Sequence, residues 1–296
     1  MNNYLVEFKE NIFETIFKIS FKNWLKTTGA YAIMYGASII LVIAFFLVII
    51  SSTGIFSLSD LSNTQALAMK LGMFGAALLS PVFFISLAVT LIITIIISSW
   101  LTNFTFLLIN NYVTDQDTDF GIVFKQSFSP IVFKLFGLIL IFFAITVAGM
   151  GISVFLTKIS WVLTVLGVIV LYIFLIRLSL AIPAFLIGNK SLNDSLSFSL
   201  EKMSWIRALK LFGLLILAFI GIFIVSFAIS LVSFIFNLIP FIGPLFQMAI
   251  QVFLSSFMLA LSTSAMIGLY YRYSEEPIEN NSDFAPEVVD YTPTQE

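Results

Sequence analysis

The chain has no cysteine and no histidine among its 296 residues, and only 10% of them are charged. The first two absences exclude disulfides, thiolate nucleophiles and imidazole bases, and with them most zinc and haem ligation. The scarcity of charge excludes a soluble globular domain, in which close to a quarter of the residues are charged. A Walker loop is absent as well, and without histidine no Ser-His-Asp set can be assembled. What is present is sequence compatible with hydrocarbon: 60% hydrophobic residues, 34 phenylalanines and a mean hydropathy of +1.08.

Residues 27–59, 71–114, 135–157, 159–176 and 211–271 contain no Asp, Glu, Lys or Arg. Each window approaches or exceeds the ~20 residues that a helix needs to cross ~30 Å of hydrocarbon. The last would be roughly 90 Å long as one helix, and it contains Pro240-Phe-Ile-Gly-Pro244, so it reads as two spans joined by a tight turn. The expected fold is an all-α integral membrane protein of six transmembrane helices. The spans fall near 29–50, 79–109, 135–156, a segment ending near Pro183, 211–237 and 241–270.

The spans are organised by a repeat. KLFGLILIFF at 134–143 returns as KLFGLLILAF at 210–219, identical at six of ten positions. Each copy follows an amphipathic lead-in and precedes a second hydrophobic run, and a weaker copy opens the chain. This gives three helix-pair repeats, about 1–112, 113–188 and 189–273, with cytoplasmic amphipathic helices, inside one membrane domain, 1–273. Residues 274–296 carry seven acids, no base and three prolines, the composition of a disordered acidic cytoplasmic tail. Without them the body has fourteen bases against nine acids. A basic membrane protein points to the bilayer and its anionic lipid headgroups as partners rather than to nucleic acid.

The first lead-in, 4–26, places Leu5, Phe8, Ile12, Ile16 and Ile19 on one helical face and Asn11, Glu14, Lys18, Lys22 and Lys26 on the other, as an interfacial helix does. Its mixed charges and the lack of a small-residue cleavage site argue against a removable signal peptide. In the second lead-in, Asp115, Asp117 and Asp119 resemble a calcium loop, but Phe120 stands where that loop needs Gly and Gln126 where it needs Glu. Asp119 or Thr118 is expected to cap a helix instead, and Ser191 of Ser191-Leu-Asn-Asp194 to do so at the matching place in the third lead-in. Within the second span, Ser86, Thr90, Thr94, Ser98 and Thr102 recur every four residues, spacing that suits interhelical contact or a polar track. That span is longer than a bilayer requires, so tilt, a bend near Pro81 or a cytosolic extension is expected.

Chemistry at membrane depth would need polar groups there, and they are few: Arg177, Asn103, Gln247, Gln251 and the hydroxyls. No Asp or Glu lies within any expected span, so proton coupling through a membrane carboxylate has no residue to carry it. Catalytic, metal and cofactor sites are therefore not expected. The one candidate site is for an anion or a lipid headgroup, with Arg177 turned inward to a cavity beside Asn103 and Thr105. The plainer role for Arg177 is snorkelling to the interface.

The run Ile182-Pro183-Ala184, then Lys190-Ser191 with Ser195 and Ser199, Trp205 ahead of a hydrophobic span, and Leu269-Tyr270-Tyr271-Arg272 at the end of the last one, resembles a bacterial family. It is that of the membrane domains attached to some glycerophosphoryl diester phosphodiesterases and of the related stand-alone YciC-like proteins. The resemblance covers most of the chain up to about Arg272. The family's catalytic residues belong to a phosphodiesterase barrel that is not in this sequence, so none is carried over and no enzyme is expected. The expected function is that of a non-enzymatic protein of the bacterial inner membrane, in a scaffold, envelope or lipid-related role. The alternative is a transporter or channel for a small anionic or lipid-like substrate, although the P-x-[DE]-x-x-[KR] signature of mitochondrial carriers is missing after Pro81, Pro183 and Pro240.

Lys9, Lys18, Lys22, Lys26, Lys125, Lys134, Lys190, Lys202, Arg207, Lys210 and Arg272 fall on one side of this topology, and Lys70 and Lys158 on the other. The positive-inside rule puts the first side, with both termini, in the cytoplasm. Reporters fused after Lys26, near Gln116, near Asn193 and after Glu276 should accordingly register cytoplasm, and those near Ser62 and Lys158 the opposite side. A cytoplasmic signal at Ser62 would refute six spans.

Overall fold

A computed structural model describes residues 7, 8, 10–53, 80–236 and 242–274. Among these residues the chain is helical, with no strand. Five helices are long and apolar enough to cross a membrane: α1 (Ile12–Thr53), α2 (Pro81–Val113), α4 (Ile131–Thr157), α5 (Trp161–Leu178, counted with its continuation to Leu186) and α9 (Ile242–Ser274, counted from Leu245). Between them lie the short α3 (Phe120–Ser127), α6 (Ala181–Leu186) and α7 (Leu192–Lys202), and α8 (Trp205–Phe236) adds a further helix of 32 residues. The expected loop at 54–79, the turn at 237–241 and the acidic tail lie outside the described residues.

Two boundaries differ from the sequence reading. Residues 12–26 do not form a separate interfacial helix, because α1 runs unbroken for 42 residues, roughly 63 Å. No proline or side-chain cap interrupts it at the expected break, where Thr27 and Thr28 donate to the carbonyls of Asn23 and Trp24 one turn back. Nor does Pro81 bend a span. It stands at the first turn of α2, where it has no N–H to lose, and Ser80 caps the helix by accepting from the Phe83 amide at 3.2 Å.

The long helices pack in sequence, α1 on α2, α2 on α4, α4 on α5, α5 on α8 and α8 on α9, and α9 packs on α1 to close the circuit. Among the described residues, most of the buried ones gather at one end of it. They include Ile16, Ile19 and Ala30 in α1, the stretch from Ile95 to Val113 in α2, Leu135 and Leu138 in α4, Ile173 and Leu178 in α5, and Ala260 to Tyr270 in α9. This is the end that carries the lead-in helices and ten of the eleven bases, Lys9 lying outside the described residues. Beyond it, α1, α2 and α5 present Ile40, Phe46, Ile85, Ile92, Val165 and Leu166 outward, surface that hydrocarbon covers at no hydrophobic cost.

Two contacts set the close packing at the buried end. The indole of Trp24 on α1 donates to the Phe253 carbonyl of α9 at 3.0 Å, and Thr28 and Ser256 share a hydroxyl bond of 2.7 Å. Further along, Gly188 lies so near that a Cβ there would sit 2.5 Å from the Tyr270 hydroxyl and 2.6 Å from the Ala184 carbonyl oxygen. Gly188→Ala is expected to destabilise the protein by roughly 1–3 kcal/mol through overpacking against a carbonyl that cannot yield. Gly151→Ala, with nothing within 4 Å, should be neutral. Thermal unfolding in detergent distinguishes the two.

Candidate functional site

The lead-in helices are built alike. Asp119 caps α3, its Oδ1 accepting from the amides of Gly121 at 2.8 Å and Ile122 at 3.2 Å, and Ser191 caps α7 by accepting from the Asp194 amide at 3.2 Å. The capping box is half formed, since the Ser191 hydroxyl also donates to the Asp194 carboxylate at 2.6 Å. Asp117 in turn accepts from the Asp119 amide, so these carboxylates shape the approach to α3.

At their far ends both helices meet the span that precedes them. The side chain of Asn103, 1% exposed on α2, donates to the Ser127 carbonyl at 2.9 Å, while the Trp100 indole donates to the Ser127 hydroxyl at 2.7 Å. Phe120 and Phe124 on α3 and Phe128 at its C-cap, four residues apart, form a ladder of rings that lies on Trp100 and Phe104. Arg177, at the end of α5, does the corresponding work for α7. Its Nη2 donates to the Leu200 carbonyl and its Nε to the Met203 carbonyl, both at 2.9 Å, and its guanidinium lies 4.5 Å from the Trp205 ring centroid. The Ser199 hydroxyl donates back to the Arg177 carbonyl at 2.6 Å.

The three candidate residues thus have separate surroundings. Arg177 is turned to the α7–α8 junction rather than to open solvent. Thr105 is buried and donates to the Leu101 carbonyl of its own helix at 2.8 Å. Thr94 and Thr102 of the hydroxyl series bond in the same way to carbonyls of α2, which satisfies them without a neighbouring helix. Gln247 and Gln251 are exposed on α9.

Asn103 alone of the three candidates lines a cleft, of about 440 Å³, between α2, α3, the start of α4 and α6. Its polar wall is Asn103, Asn110, Gln126 and Ser129, and Phe106 and Leu186 are among its apolar residues. Asn110 is held in place by Tyr271, whose hydroxyl donates to its Oδ1 at 2.7 Å. The sequence held a sign of this face, since Asn103, Phe106, Leu107 and Asn110 stand at i, i+3, i+4 and i+7 of one helix. Gln126 and Ser129 had none. A second, apolar groove of about 280 Å³ lies deeper along α1 and α2, against Ile33, Met34, Ile97 and Trp100, and Ser129 also lines it.

No protein-family model, curated protein or solved structure matches the chain.

The guanidinium fork yields a direct test. Arg177→Lys keeps the charge but cannot reach two diverging carbonyls or lie flat on Trp205. It should destabilise the protein by roughly 1–3 kcal/mol, the range for a hydrogen bond to a charged group together with a cation–π contact. Unfolding of the Lys and wild-type proteins at equal detergent and salt measures it, and identical curves would reduce Arg177 to a snorkelling base.

Proposed function

We propose that this chain is a non-enzymatic, multi-pass protein of the bacterial cytoplasmic membrane with an envelope or lipid-related role, built as a packed platform at the cytoplasmic headgroup level. In this reading α8, charge-free from 211 to 236, is the sixth span, the three helix pairs are α1 with α2, α4 with α5 and α8 with α9, and both termini are cytoplasmic. The observation that carries it is the coincidence of three features at one end of the helices: the buried core, the capped lead-in helices and the concentration of lysine and arginine. Basic residues at that level attract the anionic inner leaflet by about 1 kcal/mol each.

The resemblance to the phosphodiesterase-associated membrane domains and the YciC-like proteins fits this reading and is proposed with it. The amide-lined cleft is the specific feature that favours the second reading, a transporter or channel for a small anionic or lipid-like substrate.

Deletion of the gene in its native host, followed by quantitative lipid analysis and envelope-stress reporters, tests the proposal. A change in phospholipid composition or in detergent sensitivity, restored by the full-length gene, is the expected outcome. An unchanged envelope together with altered uptake or release of a small anion would replace the first reading with the second.

A further inference from the structure

The amide cleft and the apolar groove are arranged along α2 by depth. The cleft takes Asn103, Asn110 and Phe106 from the stretch nearer the helix end at Val113, and the groove takes Ile96, Ile97 and Trp100 one to two turns further into the membrane. Ser129, in the link between α3 and α4, belongs to both. A polar chamber at the interface that meets an apolar channel toward the hydrocarbon has the polarity of a single amphiphile, headgroup above and acyl chain below.

The donors in the cleft narrow the chemistry of the head. Tyr271 engages Oδ1 of Asn110, which leaves the Nδ2 hydrogens of that amide for the cleft. The side chains of Gln126 and Ser129 are engaged by no other group among the described residues, and both supply donors. Asn103 uses one Nδ2 hydrogen on Ser127 and keeps the other. Lys125, adjacent to Gln126, and Lys134, one turn beyond Ile131, are exposed at this level. Convergent neutral donors inside a positive rim suit phosphate oxygens with net negative charge.

We infer that this paired cleft and groove is a binding site for one anionic phospholipid. The phosphate accepts from Asn110, Gln126 and Ser129, Lys125 and Lys134 contribute the surrounding charge, and an acyl chain lies against Met34, Ile97 and Trp100. The inference rests on the lipid-related reading above and gives that reading a site.

The test is native mass spectrometry of the full chain released from detergent, titrated with phosphatidylglycerol and separately with phosphatidylcholine, with inorganic phosphate as competitor. One phosphatidylglycerol should be retained in preference to phosphatidylcholine, and its apparent Kd should rise about tenfold in Gln126→Ala and in Asn110→Leu. Gln126 is exposed on α3, so its truncation leaves the fold intact, and an unchanged melting temperature verifies this. Tyr271→Phe keeps the ring while releasing Asn110 and should weaken retention without abolishing it. Lys158→Ala, at the opposite end, should leave it unchanged.

Equal retention by wild type, Gln126→Ala and Asn110→Leu would overturn the site, as would non-saturable binding of several lipids. Displacement of the lipid by inorganic phosphate alone would assign the same donors to a soluble anion and overturn the phospholipid as ligand. The two proposals fail separately. Variants that lose the lipid but fully restore a deletion strain keep the site and remove the lipid-related role, whereas a deletion with altered lipids and variants with undiminished retention do the reverse.

Discussion

A helix that stops within apolar surroundings leaves its last carbonyls without partners, and an unpaired carbonyl there costs several kcal/mol. The structure depends on how this is met twice. α3 and α7 each end against the span before them, and in each case that span carries a polar side chain at the level of the break. Asn103 serves Ser127, and Arg177 serves Leu200 and Met203. With those carbonyls satisfied, the chain can stop a lead-in helix, turn within a few residues and begin the next long helix, α4 or α8.

Satisfying the breaks at one level concentrates the specific packing there. The ring ladder on Trp100 and Phe104, the Trp24 bond to α9 and the Lys26 contact with Thr118 in the α2–α3 link all act at this end. On the other side the α4–α5 hairpin makes its own close contact, where a Cβ on Gly149 would lie 2.5 Å from a methyl of Leu171 and Ser153 is buried beside Gly167. Elsewhere at that end the helices expose large apolar side chains, which in a bilayer need no protein partner.

Much of this was legible because caps and long apolar runs are local signals. Asp119 and Ser191 stand at the N-termini of α3 and α7 as their residue types require, and the helices that can cross a membrane follow the charge-free windows. The continuity of α1 was not legible, since a change from amphipathic to wholly apolar pattern marks a change of surroundings and not a break in hydrogen bonding. The KLFG repeat shows the same limit. Both copies follow a lead-in helix, yet Leu138 is fully buried while its counterpart Leu214 is 40% exposed, because Leu138 packs with Ala181 and Phe185 of α6 whereas α8 packs on α5 and α9. The destination of Arg177 depended on carbonyls 23 and 26 residues away, which no local pattern encodes.

The two breaks also differ in what they leave behind. A guanidinium supplies donors only, and at the α7–α8 junction these are directed at carbonyls while the planar group lies on Trp205. An amide is smaller, is neutral and keeps an acceptor and a second hydrogen after it has satisfied one carbonyl. Asn103 therefore closes the end of α3 without filling the space beside it, and the polar neighbours Asn110, Gln126 and Ser129 face a cleft at that point. Replacing the charge by an amide at one of two related junctions turns a purely structural device into one that can also receive a ligand. The weight of functional expectation shifts accordingly from the arginine, the more conspicuous residue in the sequence, to the asparagine.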